Sequence, residues 1–260
     1  MLDMQTTRIE ELARLLVDAR LHRRKLDSVP AGLGPQSAAE GLAVQAEVTR
    51  LLGHEIAAWK AGTPLVGEPT RAPVGRPLVF QSGAQLAPAD YPMLIIEAEI
   101  GFELARDLPA REQPYTRAEV ASAVGQARAA IEVADSRLAN FHSAPAWDRV
   151  ADNMGNGAIV LGTGRSDWQT LDFSQMAVAL DIGAETAVAR VGSHPSRDPL
   201  APLVWLAQEL QHTIGLRAGQ NVITGSWTGM TTARAGDTVR VRFDGLGQVS
   251  VQFSSAAIGA

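Results

Sequence analysis

The stretch Met93-Leu94-Ile95-Ile96-Glu97-Ala98-Glu99-Ile100-Gly101-Phe102-Glu103-Leu104 most constrains what this chain can fold into. A strand sends alternate side chains to opposite faces. At that period Leu94, Ile96, Ala98, Ile100, Phe102 and Leu104 form a wholly apolar face, which predicts a strand against a core. The opposite face carries Glu97 and Glu99 side by side. Two carboxylates that close repel each other and raise at least one pKa. A divalent cation between them removes that penalty, because hard cations take carboxylate oxygens. On a solvated strand face the same Glu-x-Glu pattern is ordinary, and Glu103 on that face fits the ordinary reading.

A further carboxylate changes the weight. Glu132 sits in Ala130-Ile131-Glu132-Val133-Ala134, an acid inside an apolar run. Burying it is costly unless it is paired or binds metal. The plain alternative is a buried ion pair with Arg137 or another neighbour. Together Glu97, Glu99 and Glu132 form a carboxylate set with room for other ligands, which suits Mg²⁺ or Mn²⁺. No other ligand type competes convincingly. The chain has no cysteine, so disulfides and thiolate sites are excluded, and its five histidines show no metal-binding spacing. His142, His194 and His212 read as surface residues in loop or helix-end contexts.

Around these runs the chain reads as α+β. Residues 6–27 predict an amphipathic helix, with Thr6 or Thr7 and Glu10 as a capping box. Residues 37–52 predict a second helix, with Ser37 as N-cap and Gly53 as the stop. Residues 56–60 predict a strand. Residues 63–92, rich in Pro and Gly, suit turns and short strands. A capping box at Thr116-Arg117-Ala118-Glu119 opens a helix expected to reach about residue 129, followed by a short strand at 130–134. Residues 140–156 read as irregular and 158–162 as a buried strand. Two strands are expected around Gly183-Ala184, and a last helix at 199–212. A strand at 221–224 and a hairpin about Asp244-Gly245-Leu246-Gly247 complete the chain. The expected division is a helical region over 1–62 and a β-rich core over 63–260.

Length and charge narrow the function classes. A chain of 260 residues allows one large domain, or one domain with a smaller appendage. Its net charge of −5 leaves no footprint for nucleic acid. No apolar run reaches the roughly 18–20 residues that cross a bilayer. The N-terminus lacks a basic-then-apolar leader. A cytoplasmic protein without membrane or nucleic-acid partners is the expectation. Lys60, after Trp59 and before Gly62, is a candidate proton carrier if it lies beside the metal. The turns Ala151-Asp152-Asn153-Met154-Gly155-Asn156-Gly157 and Gly225-Ser226-Trp227-Thr228-Gly229 offer polar groups and backbone approach to a ligand, with ordinary turn chemistry as the alternative.

In order along nearly the whole chain, these segments resemble the 2-keto-4-pentenoate hydratase group of the fumarylacetoacetate hydrolase superfamily. The matching stretches are Ala38–Gln45, Trp59-Lys60-Ala61-Gly62, Glu97–Phe102, Ile131–Arg137, Ala151-Asp152-Asn153 and Thr224–Gly229. The resemblance implies a helical N-terminal region packed on a mixed β-roll core. It implies Mg²⁺ or Mn²⁺ on Glu97, Glu99 and Glu132, with Lys60 as the catalytic lysine. Arg71, Asn153, Ser226 and Thr228 become candidate substrate contacts. The implied activity is addition of water to a 2-hydroxy-2,4-dienoate, giving a 4-hydroxy-2-oxo acid in the catabolism of aromatic ring-cleavage products. One segment departs from the family pattern. Where an acidic residue is expected, the chain reads Gly67-Glu68-Pro69-Thr70-Arg71, so Glu68 or Arg71 takes its place. An arginine there suits a second carboxylate. Decarboxylation of a 2-oxo-enedioate is therefore the alternative reaction, and a non-catalytic partner subunit the alternative class. A small-molecule acid is the implied substrate. A homo-oligomer, or a complex with a related decarboxylase or hydratase, is the implied assembly.

Overall fold

The computed structural model describes residues 2–62 and 69–255, with side chains from residue 6 onward. Two helices lead, α1 (Leu2–Leu21) and α2 (Ala38–Leu52). Both ends of α2 follow from the sequence. Ser37 Oγ accepts the Glu40 N–H at 3.2 Å, and Gly53, in the left-handed region at φ 65°, turns its N–H back onto the Thr49 and Arg50 carbonyls. The first helix differs from expectation. It starts before Thr6 and stops at Leu21, because Arg23 turns left-handed at φ 52° and the Arg24 N–H closes onto the Ala19 carbonyl at 2.9 Å.

The strands are β1 (Ile56–Ala61), β2 (Arg71–Gly75), β3 (Val79–Gln81), β4 (Ala84–Leu86) and β5 (Ile95–Leu104). After α3 (Arg117–Ala123) come β6 (Val124–Ala134), the short α4 (Ala146–Ala151) and β7 (Asn156–Arg165). Then follow β8 (Ala177–Ile182), β9 (Glu185–Val191), α5 (Ala201–Leu210), β10 (Asn221–Ile223), β11 (Thr231–Thr232), β12 (Thr238–Phe243) and β13 (Gly247–Phe253). Thr116 and Glu119 form the expected capping box of α3. The helix nevertheless ends at Ala123, six residues short of expectation, and the chain enters β6 directly. The Ala-rich run from Val124 favours helix locally, but it pairs antiparallel with β5 from Val124 to Ala134. Tertiary pairing overrides a weak local propensity. The segment expected to be irregular likewise contains α4.

Among the described residues the strands form two sheets. The larger has the order β2-β1-β10-β5-β6-β7-β3, with β11 also beside β5. It is mixed, since β1–β10 and β3–β7 are parallel and the other pairs antiparallel. The smaller has the order β4-β13-β12-β8-β9. The expected α+β class, with helices against a mixed β core, is the architecture found.

The large sheet curls. Asn156, at the start of β7, donates from Nδ2 to the Pro73 carbonyl of β2 at 3.2 Å, joining strands far apart in the sheet order. Its two faces therefore meet different surroundings. The outer face carries Trp59, Ile96, Ala98, Ile100, Phe102, Ile131, Val133 and Val160, and packs with Val239, Val241, Val249, Val251 and Phe253 of the small sheet in the main core. The inner face holds a smaller core of Ala58, Val74, Ala130, Ile159, Leu161 and Ile223. The helices pack in a third cluster around Leu12, Leu16, Val44, Val48 and Ala151. Apolar burial of this kind contributes about 25 cal/mol per Å². It leaves the polar ends of the inner face as the places where buried charge needs explanation.

Candidate metal centre and its lysine

Glu97 and Glu132 are opposed in the β5–β6 register, and Glu99 faces Ala130 two pairs further along, on the same face. All three side chains thus emerge on the inner face at one end of the roll. One carboxylate oxygen from each lies within 4.8 Å of the others. Glu99 and Glu132 are buried, at 4% and 2% exposure, and Glu97 is half-buried. Like charges opposed across strands are destabilising, so this convergence is a strained arrangement of anions.

The strain is visible in the protonation equilibria. Burial drives the Glu99 carboxyl well above the usual range, and the Glu132 and Glu97 charges push it further. Burial also lifts Glu132, to about 7, against the opposing pull of Lys60. Three converging hard oxygen donors, two of them buried carboxyls that resist ionisation, fit a divalent cation, which offsets their mutual repulsion. Glu97, Glu99 and Glu132 would hold it.

Four segments fix these groups. Gly225, at φ 127°, takes a backbone conformation that suits glycine, and its N–H donates to Glu99 Oε2 at 2.7 Å. The chain then runs along β5. The Trp227 N–H donates to the Ala98 carbonyl at 2.8 Å, and the Ala98 N–H donates to Thr228 Oγ1 at 3.1 Å. The backbone between Glu97 and Glu99 is therefore clamped from outside the sheet. His194 holds the same loop. It is buried at 4% exposure, not on the surface as expected, and its Nε2–H meets the Thr224 carbonyl at 3.0 Å while Nδ1 accepts the Ser196 N–H at 3.2 Å. Burial lowers its pKa to about 4, so the ring is neutral.

Lys60 arrives from β1. Ala58 and Lys60 share the inner face, and Lys60 pairs in register with Ile223 of β10. Its Nζ forms an ion pair with Glu132 and donates to the Met154 carbonyl at 2.8 Å. Glu132 thus finds its cation in the half-buried Lys60, not in Arg137. Arg137 is bound to Asp152, with Nε to Oδ1 at 2.6 Å and the backbone N–H to Oδ2 at 2.9 Å. Ser136 Oγ adds a third hydrogen bond to Asp152 at 2.6 Å. This pair braces the turn Asn153-Met154-Gly155, whose residues are all left-handed at φ 51°, 56° and 65°. Backbone in that region costs roughly 1–3 kcal/mol per non-glycine residue, and here it turns a carbonyl onto the lysine.

The candidate substrate contacts are distributed differently. Thr228 is the β5 clamp just described and donates in turn to the Gly229 carbonyl at 3.1 Å. Ser226, half-buried in the same loop, donates to the Gly229 carbonyl at 3.4 Å. Asn153 lines a void of about 20 Å³ with Arg20, Thr49 and Pro73, and its buried Oδ1 has no hydrogen-bond partner among the described residues. Arg71 is opposite Ala61 in the β1–β2 register, whereas Lys60 is opposite Ala72. The two basic side chains therefore leave opposite faces of the sheet. Arg71 lies over the Trp59 ring, 5.9 Å from its centroid, and meets Glu209 at 3.5 Å. Glu68 lies outside the described residues. Sequence reasoning missed His194 and the Met154 carbonyl. The first carries no local signal of burial, and a carbonyl has no side-chain signature.

A family model for the fumarylacetoacetate (FAA) hydrolase C-terminal domain matches residues 46–254. A 2-keto-4-pentenoate hydratase of Paraburkholderia xenovorans (strain LB400) is 36% identical over 162 residues, covering 62% of this chain. The chain spans only 59% of that relative's length. A 2-keto-4-pentenoate hydratase of Paraburkholderia phymatum is 28% identical over 259 residues, covering 95% of this chain and 98% of the relative. In fold the chain is similar to 4-oxalocrotonate decarboxylase from Pseudomonas putida G7, solved with magnesium and adipate. That likeness has a TM-score of 0.82 at 23% identity, over 95% of this chain and 98% of the other.

Proposed function

The chain belongs to the fumarylacetoacetate hydrolase C-terminal family, and on that footing we propose that it is a divalent-metal-dependent hydro-lyase of 2-hydroxy-2,4-dienoates. The observation that carries the reading is the convergence of Glu97, Glu99 and Glu132 with Lys60 Nζ at one end of the roll. The hydratase names of the relatives support the reaction class. Mg²⁺ or Mn²⁺ bound there would supply positive charge for the carboxylate and 2-oxygen of the substrate, where negative charge grows as the enol ionises.

The chain's own residues do the rest. Glu97, Glu99 and Glu132 would hold the ion and so set where the substrate head lies. Lys60 Nζ, fixed by Glu132 and the Met154 carbonyl, carries protons. The dienol gives up its O–H proton, C5 gains one, water adds its oxygen to C4, and C3 gains the last proton. The product is a 4-hydroxy-2-oxo acid with all atoms of water retained. Lys60, a cation against Glu132, is positioned to give a proton to carbon and to recover one from the enol O–H. Ser226, half-buried on the loop that also holds Glu99, is the candidate hydroxyl for substrate, which would take the place of its long bond to the Gly229 carbonyl.

Decarboxylation of a 2-oxo-enedioate is the weaker reading. It needs a cation for the second carboxylate, and Arg71 leaves the face opposite Lys60 and is engaged with Glu209 and Trp59. A cytoplasmic location and a homo-oligomer, alone or with a related enzyme, belong to the same reading and rest on the family likeness. The test is loss of ultraviolet absorbance of 2-hydroxypenta-2,4-dienoate with Mg²⁺ or Mn²⁺. Turnover that vanishes in Glu99→Gln supports the proposal. Carbon dioxide release from oxalocrotonate with no hydration would turn it to the decarboxylase. No Mn²⁺ binding by calorimetry would turn it to a non-catalytic partner.

A further inference from the structure

Away from the metal centre, a half-buried cation at the end of α1 has no ion-pair partner among the described residues. Most basic residues around the α1 C-terminus have a carboxylate. Arg23 pairs with Asp90, Arg24 with Asp18, Lys25 with Asp135 and Arg137 with Asp152. Arg20 does not. Among the described residues its one hydrogen bond is from Nη2 to the Asn156 carbonyl at 2.9 Å, and no carboxylate lies within ion-pair distance of it. The Arg137 charge repels it, and the Asp152 and Asp135 charges attract it without forming an ion pair. Burial and that repulsion lower the Arg20 pKa to about 9, a large displacement for a guanidinium.

Arg20 also lines a cavity of about 290 Å³ between α1, the loop before β5 and the end of β6. Leu52, Leu78, Ala89 and Pro92 give the cavity apolar walls, and Tyr91 contributes a buried ring. A guanidinium lining a half-open cavity, with apolar walls on one side and the ion-paired Arg23, Lys25 and Arg137 on the other, is a receptor for one anionic group on a carbon body. Because one charge is uncompensated, a single carboxylate matches it better than a multiply charged phosphate.

We propose that this cavity binds a small organic acid, its carboxylate paired with Arg20 and its chain against Leu52 and Leu78. The site is separate from the carboxylate centre, and the proposal does not depend on the reaction. It is nevertheless wired to Lys60. Arg20 and Arg137 both donate to the Asn156 carbonyl at 2.9 Å, and Asn156 follows the left-handed turn whose Met154 carbonyl holds the lysine. An acid that draws Arg20 from Asn156 acts on the backbone that positions Lys60.

Calorimetric titration of the full chain with pentanoate, in Mg²⁺, tests this. One binding event per chain is expected, and none with the neutral pentanamide. Arg20→Gln should weaken binding roughly tenfold or more, as loss of a charge-assisted pair does, and Arg20→Lys should retain part of it. Glu97→Gln should leave pentanoate affinity unchanged. Unaltered affinity in Arg20→Gln overturns the proposal, and so does loss of binding in Glu97→Gln, which would put the probe at the metal centre. Inorganic phosphate binding more tightly than pentanoate overturns the organic-acid assignment. If Arg20→Gln does not fold, Leu78→Glu decides. A carboxylate placed in the cavity wall should abolish pentanoate binding, and retained binding refutes the site.

Discussion

One strand face carries two glutamate sites with opposite fates. Glu97 and Glu99 lie at one end of the inner face of β5, and Glu103 lies at the other. Glu103 accepts from Arg128 Nη1 at 2.7 Å and from Gln126 Nε2 at 3.0 Å, and Arg128 also reaches the Gly162 carbonyl and Gln81. That end is neutral and its hydrogen bonds are made by protein. At the other end three carboxylates share one lysine. The residue type, strand and face are the same, so neither composition nor periodicity separates the two. Charge balance separates them, because surplus negative charge at low exposure stays folded only by protonation or by taking a cation.

The largest test of that contrast is Glu99→Gln. Metal affinity should fall by more than roughly a hundredfold, beyond the range seen when only supporting groups around a metal are lost, and turnover should fall with it. Calorimetry with Mn²⁺ reads the first and steady-state kinetics the second. The same variant should raise the melting temperature of metal-free protein, since an amide removes buried like-charge repulsion. A lower metal-free melting temperature would mean that Glu99 is already compensated, as Glu103 is.

Next in size is the brace behind the lysine. Asp152→Ala leaves Arg137 buried without its carboxylate, which should cost about 3–5 kcal/mol in denaturant unfolding. Asp152→Ala should also lower kcat in whatever folded protein remains, because the Asn153–Gly155 turn that presents Met154 loses its anchor. Retained stability would show that the Asn156 and Asp135 carbonyls suffice for Arg137.

The pH dependence is a smaller effect. The folded-state pKa of His194, at about 4, is below the unfolded value near 6.5. Below pH 6.5 the unfolded chain takes up a proton that the folded chain refuses, so stability falls as the pH drops toward 4. The slope from this group is at most about 1.4 kcal/mol per pH unit. Denaturant unfolding from pH 7 to 4.5, compared with His194→Phe, isolates it, and parallel curves would remove His194 from the account. The smallest effect is expected at the neutral end. Glu103→Gln should leave metal affinity and kcat unchanged and cost about 1 kcal/mol or less. A loss of metal binding there would erase the distinction between the two ends.

Much of this was legible beforehand. Ser37 and Gly53 bounded α2 correctly, and the Asp244–Gly247 signal marked the β12–β13 hairpin, because caps and turns are local chemistry. The misreadings share a cause. The run from Val124 to Ala129 has the composition of a helix and became strand because β5 offered it a partner. His194 has an ordinary loop context and became core because the loop at Thr224–Gly225 closed over it. Both outcomes depend on residues distant in sequence.

The sequence by itself determined the alternation that forces β5 against a core, the acid on the apolar strand that follows, and the ordered motifs of the family. Those features are periodicity and residue type, which a chain carries before it folds. Only the tertiary structure decided that Glu132 stands opposite Glu97, that Lys60 and not Arg137 is its cation, and that Arg71 leaves the other face. It also left Arg20 without a carboxylate beside an apolar cavity. Register, curl and the closing of one segment over another set those distances, and the interaction of charges depends on distance and burial.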